Sequence, residues 1–452
     1  MKVLWVNNIA IPEVAVKLGL PVSNKEGWIT GMVRRLSSAN EAHPVELAFA
    51  FPVPREQASL SSSVRVGSVD IRCYGFYENI NSPEKVTPGL EERFREIIED
   101  LKPDILHVFG TEYYHSCAAV RAFGRPERTL IGLQGMMKAY ADAYMGGLPS
   151  AVIRRFTLRD VLRGDTLKMQ QKKFYMRAEN EAKALLGTLN VTGRTGFDRT
   201  ESLNINPSLV YHFMNETLRE SFYSGSWNGN SCVPHSIFMS QGYYPIKGLH
   251  LMLEAMPSVL EAFPDAVLRV AGDDVARLYS DPSDNIAFPV EETLSEKLGG
   301  RFRRFKNRLK LSEYGLYLRR LIKKNGLENA VVVTGSLNEQ EMKEEYLRAN
   351  VFVCPSAIEN SPNSLGEAML LGVPCVASAV GGIPDMLDSG REGLLTPFGD
   401  ANALAEAVRS IFAQSEVTRL YSLAAKKRAH MTHDPETNHR RLLEIYSRLL
   451  EQ

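Results

Sequence analysis

Short apolar runs along this chain alternate with stretches in which apolar residues recur every three or four positions. The runs Lys2–Asn7, Val45–Phe51, Ile71–Phe76, Ile105–Phe109, Leu130–Leu133 and Leu189–Thr192 read as buried strands. Between them, Thr30–Ala39, Leu90–Leu101 and Tyr114–Phe123 carry the helical period. The theme repeats in the second half. Strands are predicted at Ser236–Ser240, Ala266–Ala271, Ala330–Thr334, Val351–Cys354 and Pro374–Ala377, and helices at Leu249–Phe263, Glu339–Ala349, Glu367–Leu371 and Ala401–Ala413. Such alternation predicts two successive α/β units, each a parallel sheet faced by helices. Periodicity fails at Phe222–Asn230, so the seam is placed there. Residues 1–222 form the expected first domain and 223–434 the second, with a last helix over 435–452 packing back on the first.

Two insertions interrupt the pattern. Met136–Met176 holds Arg154, Arg155, Arg159, Arg163, Lys168, Lys172 and Lys173, and its helical parts are expected on the surface of the first domain. Arg301–Lys324 has ten basic residues against one acid, Glu313, threaded with Phe302, Phe305, Leu309, Leu316, Leu318 and Leu321. A basic amphipathic helix of this kind either lies on an anionic membrane or is a solvated helix with a core stripe.

The chain has 452 residues, too many for one core and enough for two. Lys plus Arg equals Asp plus Glu at 53 each, so no overall field favours nucleic acid. Cys73, Cys117, Cys232, Cys354 and Cys375 are scattered without a Cys-x-x-Cys, which argues against a disulfide frame and for a reducing compartment. The start, Met1-Lys2-Val3-Leu4-Trp5-Val6, reads as a strand and not as a leader, and no apolar run approaches ~18 residues. A cytoplasmic chain is expected.

Candidate chemistry lies at the predicted carboxyl ends of the second-domain strands, where open α/β sheets bind ligands. Gly242-Tyr243-Tyr244-Pro245-Ile246-Lys247-Gly248 places a lysine before a helix start, where a diphosphate is favoured. Gly335-Ser336-Leu337 follows the next edge. Glu359 and Glu367 stand eight positions apart across Ser361-Pro362-Asn363, one on a loop and one in a helix. Gly381-Gly382-Ile383-Pro384-Asp385 would let backbone pass close to a ligand. In the first domain, Thr111 and Glu112 follow a strand. Glu112 reads either as a first-turn glutamate capped by Thr111 or as an acceptor contact, and His115 as either a core histidine or an acceptor contact.

Pro355-Ser356-x-x-Glu359, Glu359-x7-Glu367, Glu367-Ala368-Met369-x-x-Gly372-x-Pro374 and Val376-Ala377-Ser378-x-x-Gly381-Gly382-Ile383-Pro384 together resemble the retaining glycosyltransferases of glycosyl transferases group 1, the GT4 class. The resemblance is strong over about Ser236–Phe412 and thin before it. It implies the GT-B architecture, two Rossmann-like parallel-sheet domains facing a central cleft. It implies transfer of a monosaccharide from a UDP- or GDP-type nucleotide sugar to a hydroxyl, with no cofactor. By the same resemblance Glu359 holds donor-sugar hydroxyls and is catalytic together with Lys247, which also meets the donor phosphates. Glu367 binds the ribose and Leu337 meets the base. Ser364 and Leu365 offer amides to the diphosphate, and Gly27 lies near it from the first domain. Acceptor candidates are Glu112, His115 and Gln134.

Two departures stand out. Gly242 occupies the place of a family arginine, and Gln134 that of a family histidine. Arg194, Arg199 or an insertion residue is a candidate substitute for the lost cation. No Asp-x-Asp sits at a strand end, and Asp273-Asp274 has no partner nearby in sequence, so metal-independent transfer is expected. A glycan or lipid-linked acceptor in cell-surface polysaccharide assembly fits the family's habits and the basic helices, and the composition of those helices adds peripheral membrane contact as an expectation. The alternatives are a catalytically silent nucleotide-sugar-binding subunit and a GT-B sugar-nucleotide epimerase. A dinucleotide oxidoreductase would need Gly-x-Gly-x-x-Gly after the first strand, where Asn7-Asn8-Ile9-Ala10 stands.

Overall fold

Alternation along the strands decides which side chains reach which helical layer. The computed structural model describes residues 1–22, 27–38, 45–67, 69–272 and 311–451, with backbone alone at 27, 28, 34, 37 and 38. The first sheet contains β1 (Lys2–Val6), β2 (Glu46–Pro52), β3 (Ser61–Val66), β4 (Val69–Phe76), β5 (Ile105–Phe109), β6 (Thr129–Gly132), β7 (Asn190–Gly193) and β8 (Val210–Phe213). Its order is β3-β4-β2-β1-β5-β6-β7-β8. All neighbours run parallel except β3 with β4. Val3, Trp5, Phe49 and Phe51 enter one core, with Val14, Ile29 and Val33. Leu4, Val6, Ala48 and Ala50 enter the other, with Phe94, Ile97 and Ala118. Helices on both faces account for the near-continuous apolar runs.

Strand β3 escaped sequence reading because it is Ser-Ser-Ser-Val-Arg-Val, an edge strand that buries little besides Val64 and Val66. Strand β8 is likewise a largely exposed edge.

The second sheet contains β9 (Ser236–Met239), β10 (Val267–Ala271), β11 (Val331–Gly335), β12 (Val351–Cys354), β13 (Cys375–Ser378) and β14 (Leu394–Thr396), in the order β11-β10-β9-β12-β13-β14. Every pair is parallel, so all six carboxyl ends share one edge. Strands β9, β12 and β13 are buried throughout. Cys354 and Cys375 are small core residues, and burial pushes the Cys354 thiol up to about 12.

The chain divides into two compact units, one of 1–141, 173–220 and 430–452, the other of 142–172 and 221–429. The boundary therefore differs from the expected one. Residues 142–172 group with the second unit, although they fall inside the first half of the sequence. Side-chain bonds to backbone fix this grouping. His250 Nε2 lies 2.7 Å from the Gly146 carbonyl oxygen, and the Glu313 amide donates to Asp160 (2.9 Å). Burial holds the His250 imidazole down at about 4, so its contact is that of a neutral ring.

The helix Glu313–Lys324 takes the core-stripe alternative. Tyr314, Tyr317, Leu318, Leu321 and Ile322 are buried, and Tyr317 donates to Glu254 (3.0 Å). The part of that basic insertion before residue 311 lies outside the described residues.

The last helix, Pro435–Glu451, belongs to the first unit, where Leu442, Ile445, Tyr446 and Leu449 join the core. Trp5 Nε1 donates to the Tyr446 hydroxyl (2.8 Å), which lies 2.7 Å from His107 Nδ1. Burial drives the His107 imidazole down to about 3, so the contact is that of a neutral ring.

Candidate active site

Three loops leave the adjacent strands β9, β12 and β13 and lock together. After β9, the chain forms a short 3-10 turn at Pro245–Lys247 and enters the helix Leu249–Ala262 through Gly248. Gly248 has φ +71°, and a Cβ there would lie 1.9 Å from the Pro355 carbonyl oxygen. Both the left-handed backbone and the space demand glycine. Gly381 repeats the device at φ +51°, where a Cβ would meet the Glu359 carbonyl oxygen at 2.0 Å. Backbone bonds close the joints: Ala357 N to Ile246 O (2.7 Å) and Gly382 N to Glu359 O (3.0 Å).

This packing sets Lys247 against Glu359. Lys247 Nζ donates to Glu359 Oε1 at 2.6 Å, and Ser356 Oγ donates to the same oxygen at 2.8 Å. The Glu359 side chain is 5% exposed and that of Lys247 16%. A pair this buried carries a desolvation cost that only good geometry and further hydrogen bonds offset. Ser356 supplies one, and the motif that contains it gave no hint of this role beyond a hydroxyl three positions before the carboxylate.

Glu367 is buried in the helix Asn363–Leu371, whose N-cap residue is Pro362, with no side-chain cap bond. The Leu365 amide donates to the Pro362 carbonyl (3.0 Å), so of the two expected amides it is Ser364's that helix geometry leaves outside the ladder. Leu337 follows β11, on the same edge but three strand spacings from β12, about 14 Å. Gly27 opens the helix Gly27–Ser38 in the first unit. Gly242 is explained by packing. A Cβ there would lie 2.7 Å from Leu249 Cδ2 and 3.2 Å from Val270 Cγ1, leaving no room for a longer side chain without rearrangement.

In the first unit, the carboxyl ends of β5 to β8 surround a shallow depression lined by Phe109, Gly132, Gln134, Thr192, Arg194 and Glu216. Arg194 pairs with Glu216 (2.7 Å) and Gln134 donates to Glu216 (2.6 Å). Both members of the ion pair are buried, so the Arg194 charge is already matched. That opposes the expectation that Arg194 replaces the cation missing at Gly242.

Thr111 is not a helix cap. The helix begins at Tyr114 with Tyr113 at its N-cap, and the Thr111 hydroxyl donates to Glu181 (2.6 Å). Glu112 thus precedes the helix, and the first-turn reading fails. Burial raises its carboxyl, against the lowering pull of the Arg177 charge, and its Oε2 has no hydrogen-bond partner among the described residues. His115 is fully buried, with Nδ1 2.5 Å from Glu78 Oε2 and its amide donating to Glu78 Oε1 (3.1 Å). The buried ring fits the core-histidine alternative, with Nε2 left without a hydrogen-bond partner among the described residues.

Glu181 was missed in the sequence because it sits mid-helix among ordinary charged residues. It accepts from Thr111 and from the Met137 amide (2.8 Å), and burial raises its carboxyl from 4.5 to about 8. The folded chain therefore keeps a proton that the unfolded chain releases. Stability from this group is complete below about pH 4.5 and is lost as pH rises through about 8. Glu181→Gln copies the protonated form. Its advantage over the parent in urea denaturation is expected to be near zero at low pH and to grow to a few kcal/mol, order of magnitude, at pH above 8. Parallel pH profiles for the two proteins would contradict this.

Asp273 and Asp274, considered above as a metal pair, lie outside the described residues. Among the described residues no group of three or more His, Cys, Asp or Glu side chains is placed to hold a metal ion. No helix among them is long and apolar enough to cross a membrane.

A family model described as glycosyl transferases group 1 matches residues 234–428, the span that carries Lys247, Leu337, Glu359, Ser364, Leu365 and Glu367. Residues 234–428 belong to the glycosyl transferases group 1 family. The chain is similar to the amylovoran biosynthesis glycosyltransferase AmsK of Erwinia amylovora, 33% identical over 139 residues, which cover 29% of this chain and 34% of that protein. The chain spans about a third of the length of the curated relatives it matches.

Among solved structures, sucrose-phosphate synthase from Thermosynechococcus elongatus matches 100% of this chain and 99% of its own, with TM-score 0.65 and 16% identity. Anabaena HepE in complex with UDP and glucose matches 99% of both chains, with TM-score 0.61 and 15% identity. At such identities the likeness is one of fold. It is the GT-B fold, with two Rossmann-like units, and the group 1 region is the second of them.

Proposed function

We propose that this chain transfers a monosaccharide from a nucleotide-sugar donor to a hydroxyl of a glycan or lipid-linked acceptor in cell-surface polysaccharide assembly. The observation that carries the reading is the Lys247–Glu359 pair with Ser356, beside the start of the Asn363–Leu371 helix at one sheet edge. A nucleotide sugar already holds a good leaving group, so the protein's task is to stabilise charge on the departing diphosphate. In this reading Lys247 and the Ser364 amide do so, helped by the positive end of the helix. Lys247 turns from Glu359 to the diphosphate as donor binds. Ser356 keeps its bond to Glu359 and aims that carboxylate at a sugar hydroxyl. Glu367 takes the ribose diol and Leu337 the base.

Retention of anomeric configuration comes with the family resemblance, and independence of metal with the lack of an Asp-x-Asp at a strand end in the sequence. The acceptor side is assigned to Glu112 and Gln134 at the edge of the first sheet, since the His115 ring is buried. The name of AmsK supports a polysaccharide role, and the complex of HepE with UDP supports a uridine nucleotide. The test is incubation with a panel of UDP-, GDP- and ADP-sugars, reading free nucleoside diphosphate with and without EDTA. Release from at least one donor, unaffected by EDTA, is expected. Release that needs a divalent ion overturns metal independence. No release from any donor with acceptor extracts favours a silent binding subunit, and a changed sugar on an intact nucleotide favours an epimerase.

A further inference from the structure

The six-residue helix Leu158–Arg163 is built inside out. Its polar side is the buried one. Thr157 and Asp160 form a capping box, with bonds of 3.0 and 3.1 Å. The buried Asp160 carboxylate also accepts from the Glu313 amide (2.9 Å) and from Arg159 (3.0 Å). Its outer side is apolar. Leu158, Val161 and Leu162, at positions i, i+3 and i+4, are 70%, 49% and 77% exposed, and the preceding Phe156 is 63% exposed. A helix on a water-facing surface normally shows the reverse. Single exposed leucines need no explanation, but four large apolar side chains within seven positions make a patch.

Charge says what covers it. The exposed charged residues of the stretch 154–168 are Arg154, Arg155, Arg163 and Lys168, all cations. The acids of the stretch are engaged elsewhere. Asp160 is held as above, and Asp165 accepts from Gln170 (2.6 Å) and lies 3.8 Å from Arg159.

We propose that Phe156, Leu158, Val161 and Leu162 insert into the surface of an anionic lipid bilayer while Arg154, Arg155, Arg163 and Lys168 meet its headgroups. An apolar tip ringed by basic residues matches the composition of interfacial membrane anchors. A second copy of the same patch would bring like charges together, which opposes self-association. The basic helix Glu313–Lys324 is no rival, because its apolar side is in the core.

The test is flotation of the full chain with phosphatidylcholine vesicles, with and without about a third phosphatidylglycerol, at about 0.1 M and about 1 M salt. Binding is expected with the anionic vesicles alone and to weaken at high salt. The double variant Leu158→Ser, Leu162→Ser is expected to partition at least about tenfold less, and Arg154→Gln with Arg155→Gln about tenfold less. All four side chains are exposed, so the Tm of both variants should match the parent. Equal binding to neutral vesicles, or binding unmoved by the leucine changes, overturns the proposal. So does a concentration-dependent dimer that the leucine changes dissolve in a protein that ignores vesicles.

Discussion

Lys247→Ala is expected to lower kcat/KM for the donor by about 10³-fold and to destabilise the fold by about 3–5 kcal/mol. The two effects have different sources. Loss of activity follows from removing the cation proposed to receive the diphosphate. Loss of stability follows from leaving the nearly buried Glu359 carboxylate with Ser356 as its remaining bonded partner of the two. Adding Glu359→Gln in the same molecule removes the stranded charge. The double variant should therefore regain much of the stability, about 2 kcal/mol or more, and none of the activity. Urea denaturation and steady-state kinetics on the single and double variants check both statements. A Lys247→Ala protein with the parent's kcat/KM removes the lysine from the chemistry. A double variant no more stable than Lys247→Ala removes the ion pair from the stability account.

Glu359→Gln alone is expected to lower kcat by about 10²–10³ with a smaller change in donor KM. The amide keeps the shape and can still accept from Ser356 or Lys247, so the fold should survive with modest loss. What it loses is the negative charge proposed to stand beside the reacting carbon, where its interaction would strengthen in the transition state. Glu367, proposed to take the ribose, would belong to ground-state binding, and its removal should appear in KM. If Glu359→Gln shifted KM alone and left kcat untouched, the carboxylate would be a binding group and the proposed division of labour between the two glutamates would be lost.

Much of this was legible from residue order. The runs that became β1, β2, β5, β9, β12 and β13 are buried on both faces, so their apolar character is continuous and reads directly. The Lys247, Glu359 and Gly381 loops were legible as loops because each follows such a strand. Their mutual contacts were not. The closeness of Gly248 to Pro355 and of Gly381 to Glu359 is a through-space fact between segments far apart in sequence. The same holds for Glu216, which neutralises Arg194 and binds Gln134, and for Glu78, which claims both the ring and the amide of His115. Local pattern suggested Thr111 as a cap, but a carboxylate 70 positions away, Glu181, takes its hydroxyl. The helix at Leu158–Arg163 lies in an insertion legible only as basic and helical in part; which of its sides faces water is set by packing.

Neither unit owns an unbroken stretch of gene. The first closes its floor with the last helix, whose Tyr446 accepts from the indole of Trp5 and bonds Nδ1 of His107, and the second borrows 142–172 from within the first's span of the sequence. A fragment ending at residue 222 would leave an indole N–H facing a hole, and its complement would lack the strap bonded to His250 and Glu313. The halves are therefore separable in shape but not in inheritance: shuffling one of them into another protein would mean moving three pieces or two, never one.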